Sequence, residues 1–362
     1  MRTQVAAVET PGGPFVLREA DIERPRPHEI LVRLTAAGIC HTDLSARQVW
    51  PEQRLPMVFG HEGTGIVEAI GDAVTTVAPG DTVCLSYQRC GTCEPCANGG
   101  PAYCTAFGSL NAAGTRTDGS TPLTTGGSAV YGSFFGQSSF ATLAITHETN
   151  TVKIPSDVPP TVAAPLGCSV QTGVGTVSNV LRPAPGETLV VFGAGSVGLC
   201  AVMAAVANGC PVAAVDPIAS RRALALDLGA EAVIDPTGDT DVPEAIRDLV
   251  KGGPHHAIDT TGRADVIAQA VAALRQRGSL ALVGLGTVQL ATMDVMSKGL
   301  VIRGVIEGDA DPAEAVPYLV GLHQQGKLPV EKLISQYPFA EVEAAARAAL
   351  AGEVIKPVLT FD

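Results

Sequence analysis

The chain has 362 residues, room for two domains and a large core, and only 4% of them are aromatic, so Val, Leu, Ile and Ala must fill the interior. A formal net charge of −12 argues against nucleic acid or an anionic membrane surface as a partner. No basic leader opens the sequence and the most apolar helical stretch, 201–207, breaks at Asn208-Gly209, which together predict a soluble, cytoplasmic protein.

In chain order, residues 3–8, 30–37, 65–70 and 81–85 read as short strands separated by Pro, Gly and Asp. Residues 107–139, rich in Gly, Ser and Thr, predict an irregular excursion over a site. Near Pro155-Ser156-Asp157 the texture changes. Long Ala/Val/Leu helical patterns now alternate with apolar strands at 188–192, 212–215, 257–259 and 280–283, which predicts a doubly wound parallel sheet. A helix at 311–324 and a strand at 357–361 are expected to return to the first domain, because the β-rich part otherwise lacks helices. The expected division is 1–169 with 308–362, and 170–307.

Four cysteines, Cys90, Cys93, Cys96 and Cys104, carry the most chemistry. Thiolates two residues apart on tight turns converge on one tetrahedral Zn²⁺, and a fourth closes the shell, leaving no open position; such a zinc is structural. Two disulfides would need an oxidising compartment and a geometry that two-residue spacings rarely allow. Cys84, Cys200 and Cys210 lie in apolar patterns and read as small buried hydrophobes.

The strand at 188–192 runs into Gly193-Ala194-Gly195-Ser196-Val197-Gly198 and then a helix. Gly193 permits the turn, Gly195 lets the backbone approach a pyrophosphate, and Gly198 lets helix pack on strand. The N–H groups of the first turn, Ser196 and Val197 among them, face the phosphates. Asp216, ending the next strand, would accept from both ribose hydroxyls and repel a 2′-phosphate, favouring NAD over NADP; Arg221 and Arg222 lie further on. A second metal set is also present. Cys40, His61 and Cys168 each stand in a segment where a buried Cys or a core His is the blander reading. Together they make the Cys₂His set of a catalytic zinc with one open position.

With Gly60-His61-Glu62, the four-cysteine lobe, Cys40-His41-Thr42-Asp43 and Gly167-Cys168-Ser169-Val170-Gln171-Thr172-Gly173, the chain resembles the zinc-dependent medium-chain alcohol dehydrogenases over essentially its whole length. Within that family it looks most like the bacterial aryl- and allyl-alcohol dehydrogenases that act on benzyl alcohol or geraniol. The resemblance implies a Rossmann domain beside a β-rich, GroES-like catalytic domain, two Zn²⁺ per chain, NAD, and a homodimer or homotetramer joined through 301–306. It also implies roles. Asp43 would bond the far nitrogen of His61, Glu62 would stand behind the metal, Thr42 would bond the substrate oxygen and start a proton relay, and Thr172 would pack on the nicotinamide. Lys356 falls where the family often has a basic phosphate contact.

Two positions depart from the animal enzymes. Ser45 replaces a relay His, so the proton must end at the ribose, a water or His41, and His41 itself replaces an Arg that bonds the pyrophosphate. The implied reaction is reversible oxidation of a primary aryl or allylic alcohol to the aldehyde. Trp50, Phe59, Phe134 and Phe135 are candidates for an aryl pocket, with ordinary core packing an equally good reading of each. Two rivals remain: a glutathione-dependent formaldehyde dehydrogenase, for which Arg116 alone in 107–139 offers positive charge, and a non-catalytic NAD-binding relative.

Overall fold

Short strands with alternating burial build two sheets in the first part of the chain. The structure is a computed structural model and describes residues 1–361. Internal contacts define two units. One comprises Met1–Cys168, Asp311–Gly321 and the described chain from Val330 onward; the other comprises Ser169–Ala310 and Leu322–Pro329.

In the first unit, a five-stranded antiparallel sheet runs Met57–Val58, Arg2–Val8, Phe15–Ile22, Leu123–Thr125, Ser128–Val130. A seven-stranded sheet runs Thr151–Lys153, Thr82–Leu85, Glu62–Ile70, Glu29–Gly38, Lys356–Thr360, Ile334–Pro338, with Leu143–His147 also on Glu29–Gly38. Two expectations are corrected here. The segment 107–139 is not irregular throughout: it holds the helix Phe107–Asn111 and a hairpin added to the five-stranded sheet. The hairpin turns at Gly126-Gly127, both at positive φ, as a two-residue loop between right-twisted strands requires. The glycines that predict an irregular segment supply the turn. The β-rich unit also does contain a helix near its start, His41–Val49, in which Asp43 Oδ2 accepts from Cys40 N at 3.0 Å and so caps the first turn.

In the second unit six parallel strands stand in the order Ala232–Ile234, Val212–Val215, Leu189–Phe192, His256–Asp259, Ser279–Leu282, Val301–Gly304. This is the doubly wound order, with the crossover point at the first strand in sequence. Leu189–Phe192 is buried residue by residue, as a strand covered on both faces must be. The helix Ser169–Gly175 lies directly on Ser196–Ala207: a Cβ on Gly173 would stand 2.3 Å from Val197 O. Cys84, Cys200 and Cys210 are buried, and burial pushes the Cys84 thiol up to about 12. Among the described residues no helix is long and apolar enough to cross a membrane.

Candidate active site

Strand register brings the first two metal-ligand candidates together. Gly38, near the end of one strand, pairs with Glu62 at the start of its antiparallel neighbour, so Cys40 and His61 flank the same end of the sheet. A Cβ on Gly38 would lie 2.0 Å from Glu62 Oε2, an oxygen that Lys356 holds in place. Cys168 arrives from the short helical turns Pro160–Ala163 and Ala164–Gly167, anchored where Ser86 Oγ donates to Gly167 O at 2.6 Å. The Cys40, His61 and Cys168 donor atoms all lie within 4.8 Å of one another.

One carboxylate orients this set. Asp43, fully buried, accepts from His61 Nδ1 at 2.8 Å and from Gly60 N at 3.0 Å through Oδ1, while Oδ2 holds Cys40 N. With its proton on Nδ1, His61 turns the Nε2 lone pair inward, and Nε2 is buried without a hydrogen-bond partner. A hydrogen bond from Cys168 holds the Cys40 thiol well below its ordinary value against the opposing effect of burial, and His61 adds to this. Burial resists charge on His61, but Asp43 outweighs it and raises the imidazole. An orphaned imidazole nitrogen beside two thiols, one of them acidified, fits zinc.

Behind these residues, Lys356 Nζ donates to both oxygens of Glu62, at 2.9 and 2.8 Å, and to Ile39 O at 3.2 Å. Burial pushes Glu62 up and the Lys356 charge only partly offsets it; burial pulls Lys356 down, and Glu62 more than reverses that. Both side chains are buried, and the three N–H bonds of the ammonium are spent within the first unit. The reading of Lys356 as a phosphate contact is therefore replaced by that of a counter-charge for Glu62.

No sequence motif marks Gln137, which lies in the Gly/Ser-rich stretch. Its Nε2 donates to His61 O and Ser86 O, at 2.9 and 3.0 Å, and its Oε1 accepts from Gly63 N. The aromatic candidates Trp50, Phe59, Phe134 and Phe135 all belong to one buried core; within it Phe135 stacks on the His61 ring at 4.5 Å between centroids, and Phe134 meets that ring edge-on at 5.7 Å. Phe135 has φ +52, a conformation that costs L residues energy and persists only where neighbours enforce it. Asn150 Nδ2, donating to Phe135 O and Gly136 O, is such a neighbour. Thr42 is half-buried with Oγ1 at 3.8 Å from Cys40 Sγ; Ser45 is half-buried and His41 exposed. Arg116 is engaged by Glu23 at 2.7 Å and Glu29 at 2.6 Å.

The four lobe cysteines, Cys90, Cys93, Cys96 and Cys104, also place their Sγ atoms within 4.8 Å of one another, and none is in a disulfide. The backbone N–H groups of Thr92 and Cys93 pull Cys90 down to about 6, while burial pushes Cys96 up to about 12. Four thiols converging without pairing fit a closed structural zinc shell.

In the second unit the glycine turn takes the expected form. Gly193 has φ +90, and a Cβ on Gly198 would lie 1.9 Å from Gly193 O, while the space beside Gly195 is open. The helix Ser196–Ala207 has no side-chain cap, and Ser196 Oγ is buried without a partner, so its hydroxyl and first-turn N–H groups fit a phosphate. Asp216 holds the turn: Oδ2 accepts from Ala194 N at 2.7 Å and Oδ1 from Ile218 N at 2.8 Å. Arg221 Nη1 stands 3.9 Å from Oδ2. Thr172 is buried and donates to Glu307.

A doubly wound nucleotide sheet, an open Cys₂His set and a closed four-cysteine lobe in one chain define a zinc-dependent dehydrogenase. Residues 26–156 match the family model of the alcohol dehydrogenase GroES-like domain, and residues 196–321 that of the zinc-binding dehydrogenases. The chain belongs to the zinc-dependent alcohol dehydrogenase family; it is an NAD-dependent alcohol dehydrogenase with zinc and NAD as cofactors. It is 42% identical over 364 residues to the geraniol dehydrogenase of Castellaniella defragrans, spanning 99% of this chain and 97% of that one. The crystal structure of benzyl alcohol dehydrogenase from Acinetobacter calcoaceticus superposes with a TM-score of 0.96 at 40% identity, over 100% of both chains. A zinc-binding-domain alcohol dehydrogenase from Burkholderia ambifaria gives 0.97 at 41%, covering 100% of this chain and 99% of that one.

Proposed function

We propose that this chain reversibly oxidises primary benzylic or allylic alcohols to aldehydes with NAD, at a zinc held by Cys40, His61 and Cys168. The observation that carries it is the buried, partnerless His61 Nε2, fixed by Asp43 beside two thiols. The first unit serves as the catalytic zinc domain and the second as the NAD-binding domain; against the expected division of 1–169 with 308–362 and 170–307, Ser169, 308–310 and Leu322–Pro329 fall in the second unit. A second zinc, held by Cys90, Cys93, Cys96 and Cys104, is structural.

When bound, zinc supplies a Lewis acid that acidifies the alcohol hydroxyl, and NAD supplies the hydride acceptor. Thr42 would accept the hydroxyl proton and pass its own outward, to a water or the exposed His41 or, with NAD bound, to its ribose. Asp43 keeps the imidazole in one tautomer. Glu62, charge-paired with Lys356, backs the ligand turn. Gly195, Ser196 and Val197 would hold the pyrophosphate, Asp216 the adenosine ribose, and Thr172 the nicotinamide face. The rival reading as a glutathione adduct oxidoreductase is disfavoured because Arg116 is already paired with two glutamates.

Support for an aryl or allylic substrate comes from the relatives named for geraniol and benzyl alcohol, and from Phe135 stacked against His61. Burying an added aromatic ring contributes roughly 1.5–3 kcal/mol. That corresponds to about ten- to hundredfold in kcat/KM. Benzyl alcohol and geraniol are expected to exceed hexanol and ethanol in specificity constant. Ethanol matching benzyl alcohol would sink the substrate assignment and leave the dehydrogenase assignment standing.

The chain is also proposed to form a homodimer or homotetramer. Val301–Gly304 is the last strand in the order of its sheet among the described residues, and Val301 and Ile306 are 59% and 44% exposed, an edge that invites pairing with a second copy. Small-angle scattering should give a dimer or larger; a monomer at micromolar concentration would exclude it. A cytoplasmic location is supported by two sites that depend on reduced thiols.

A further inference from the structure

We propose that Glu307 is a cofactor-tuning residue whose carboxylate favours the oxidised, positively charged nicotinamide over the reduced one. The inference rests on the reading of the second unit as an NAD site.

Its position follows from sheet topology. In a doubly wound sheet the dinucleotide lies across the carboxyl ends of the strands, one mononucleotide on each half. Asp216, the ribose-facing acid, ends Val212–Val215 and so marks the adenosine half. The nicotinamide half then belongs to His256–Asp259, Ser279–Leu282 and Val301–Gly304. Glu307 follows the last of these at its carboxyl end, after Val305 N donates to Leu282 O at 2.9 Å.

Its surroundings hold it there. Glu307 is only 8% exposed and has φ +51, in the left-handed region that a glutamate rarely occupies. Such outliers persist where the structure over-determines them, and they concentrate at functional sites. The next residue, Gly308, is wedged on the helix Ser169–Gly175: a Cβ there would lie 2.3 Å from Gln171 O, and Asn179 Nδ2 donates to Gly308 O at 3.0 Å. Arg303 pairs with Asp309 on the far side of the turn. The carboxylate is thereby aimed at Gln171 and Thr172, with Oε2 accepting from Gln171 Nε2 at 2.8 Å and from Thr172 Oγ1 at 3.5 Å. Thr172 is the residue the family places on the nicotinamide, and its neighbour Gly173 touches the first turn of the phosphate-binding helix.

The oxidised nicotinamide carries a positive charge and the reduced ring does not. A fixed carboxylate beside it strengthens binding of NAD⁺ and leaves NADH without that attraction, which favours release of the reduced cofactor after alcohol oxidation.

The test is Glu307→Gln, which keeps the side-chain shape and removes the charge. Binary affinities for NADH, by fluorescence titration, and for NAD⁺, by competition, need neither alcohol nor turnover. The ratio Kd(NAD⁺)/Kd(NADH) is expected to rise roughly tenfold. If both affinities fall by the same factor, or neither changes, Glu307 only braces the turn and the proposal is overturned. If Glu307→Gln does not fold, Glu307→Asp, which withdraws the charge by one methylene, should raise the ratio by a smaller factor, and an unchanged ratio overturns the proposal equally. A parent protein that binds neither dinucleotide would overturn the cofactor reading itself, a result distinguishable from both.

Discussion

Asp43→Ala is expected to abolish alcohol oxidation and to empty the Cys40/His61/Cys168 site while the four-cysteine lobe keeps its zinc. The carboxylate satisfies three donors, two of them fully buried, and each buried donor left unpaired costs about 1–3 kcal/mol. Asp43→Asn is the milder variant. Its amide oxygen can still accept from His61 and Gly60, but its NH₂ faces the Cys40 N–H, donor against donor. Loss of such an outer partner typically weakens metal affinity about 10–100-fold. Zinc per chain after timed dialysis against a chelator measures the effect. The parent should release one zinc with its activity while remaining folded, Asp43→Asn should release it sooner, and Asp43→Ala should hold only one from the start. Parental activity and two retained zincs in Asp43→Ala would refute the role given to this carboxylate.

Asp216→Gly should weaken NAD binding and narrow the preference over NADP by at least about tenfold in the ratio of kcat/KM. Two effects combine in it. The ribose acceptor and the negative charge that repels a 2′-phosphate disappear, and Arg221, 3.9 Å from that carboxylate, loses its counter-charge and can meet the phosphate. Because Asp216 also accepts from Ala194 N and Ile218 N, the glycine turn loosens, so absolute affinity for both dinucleotides falls while the ratio closes. Initial rates with the two cofactors give the ratio directly. A parent enzyme already faster with NADP would remove the basis for the assignment.

The features legible in the sequence are those whose chemistry is local. The glycine turn and its strand and helix occupy one contiguous stretch, and the lobe cysteines lie within Cys90–Cys104, so spacing alone restricts what they can do. The parallel strands were legible because full burial leaves uninterrupted apolar runs. What escaped depended on partners distant in the chain. Lys356 looks like a surface cation until Glu62, 294 residues away, is placed against it. Gln137 sits in a stretch whose Gly and Ser content masks a hairpin, and only the fold brings it to His61 O. Phe15–Ile22 carries Glu19 and Asp21 on one face and an exposed Arg18 on the other, beside buried Ala20 and Ile22, which breaks its alternation. Glu307 has no neighbouring motif, and its left-handed backbone is invisible without coordinates.

The Glu62–Lys356 pair also bears on the order in which the molecule can mature as it is synthesised. Cys40, His61 and Cys168 are all translated before the second unit is complete, yet Glu62, next to His61, has no cation until the strand Lys356–Thr360 pairs with Glu29–Gly38. A buried carboxylate without its partner is strongly destabilising. The four-cysteine lobe draws its ligands from Cys90–Cys104 alone, whereas the catalytic set gains the counter-charge behind His61 only when the strand Lys356–Thr360 is in place.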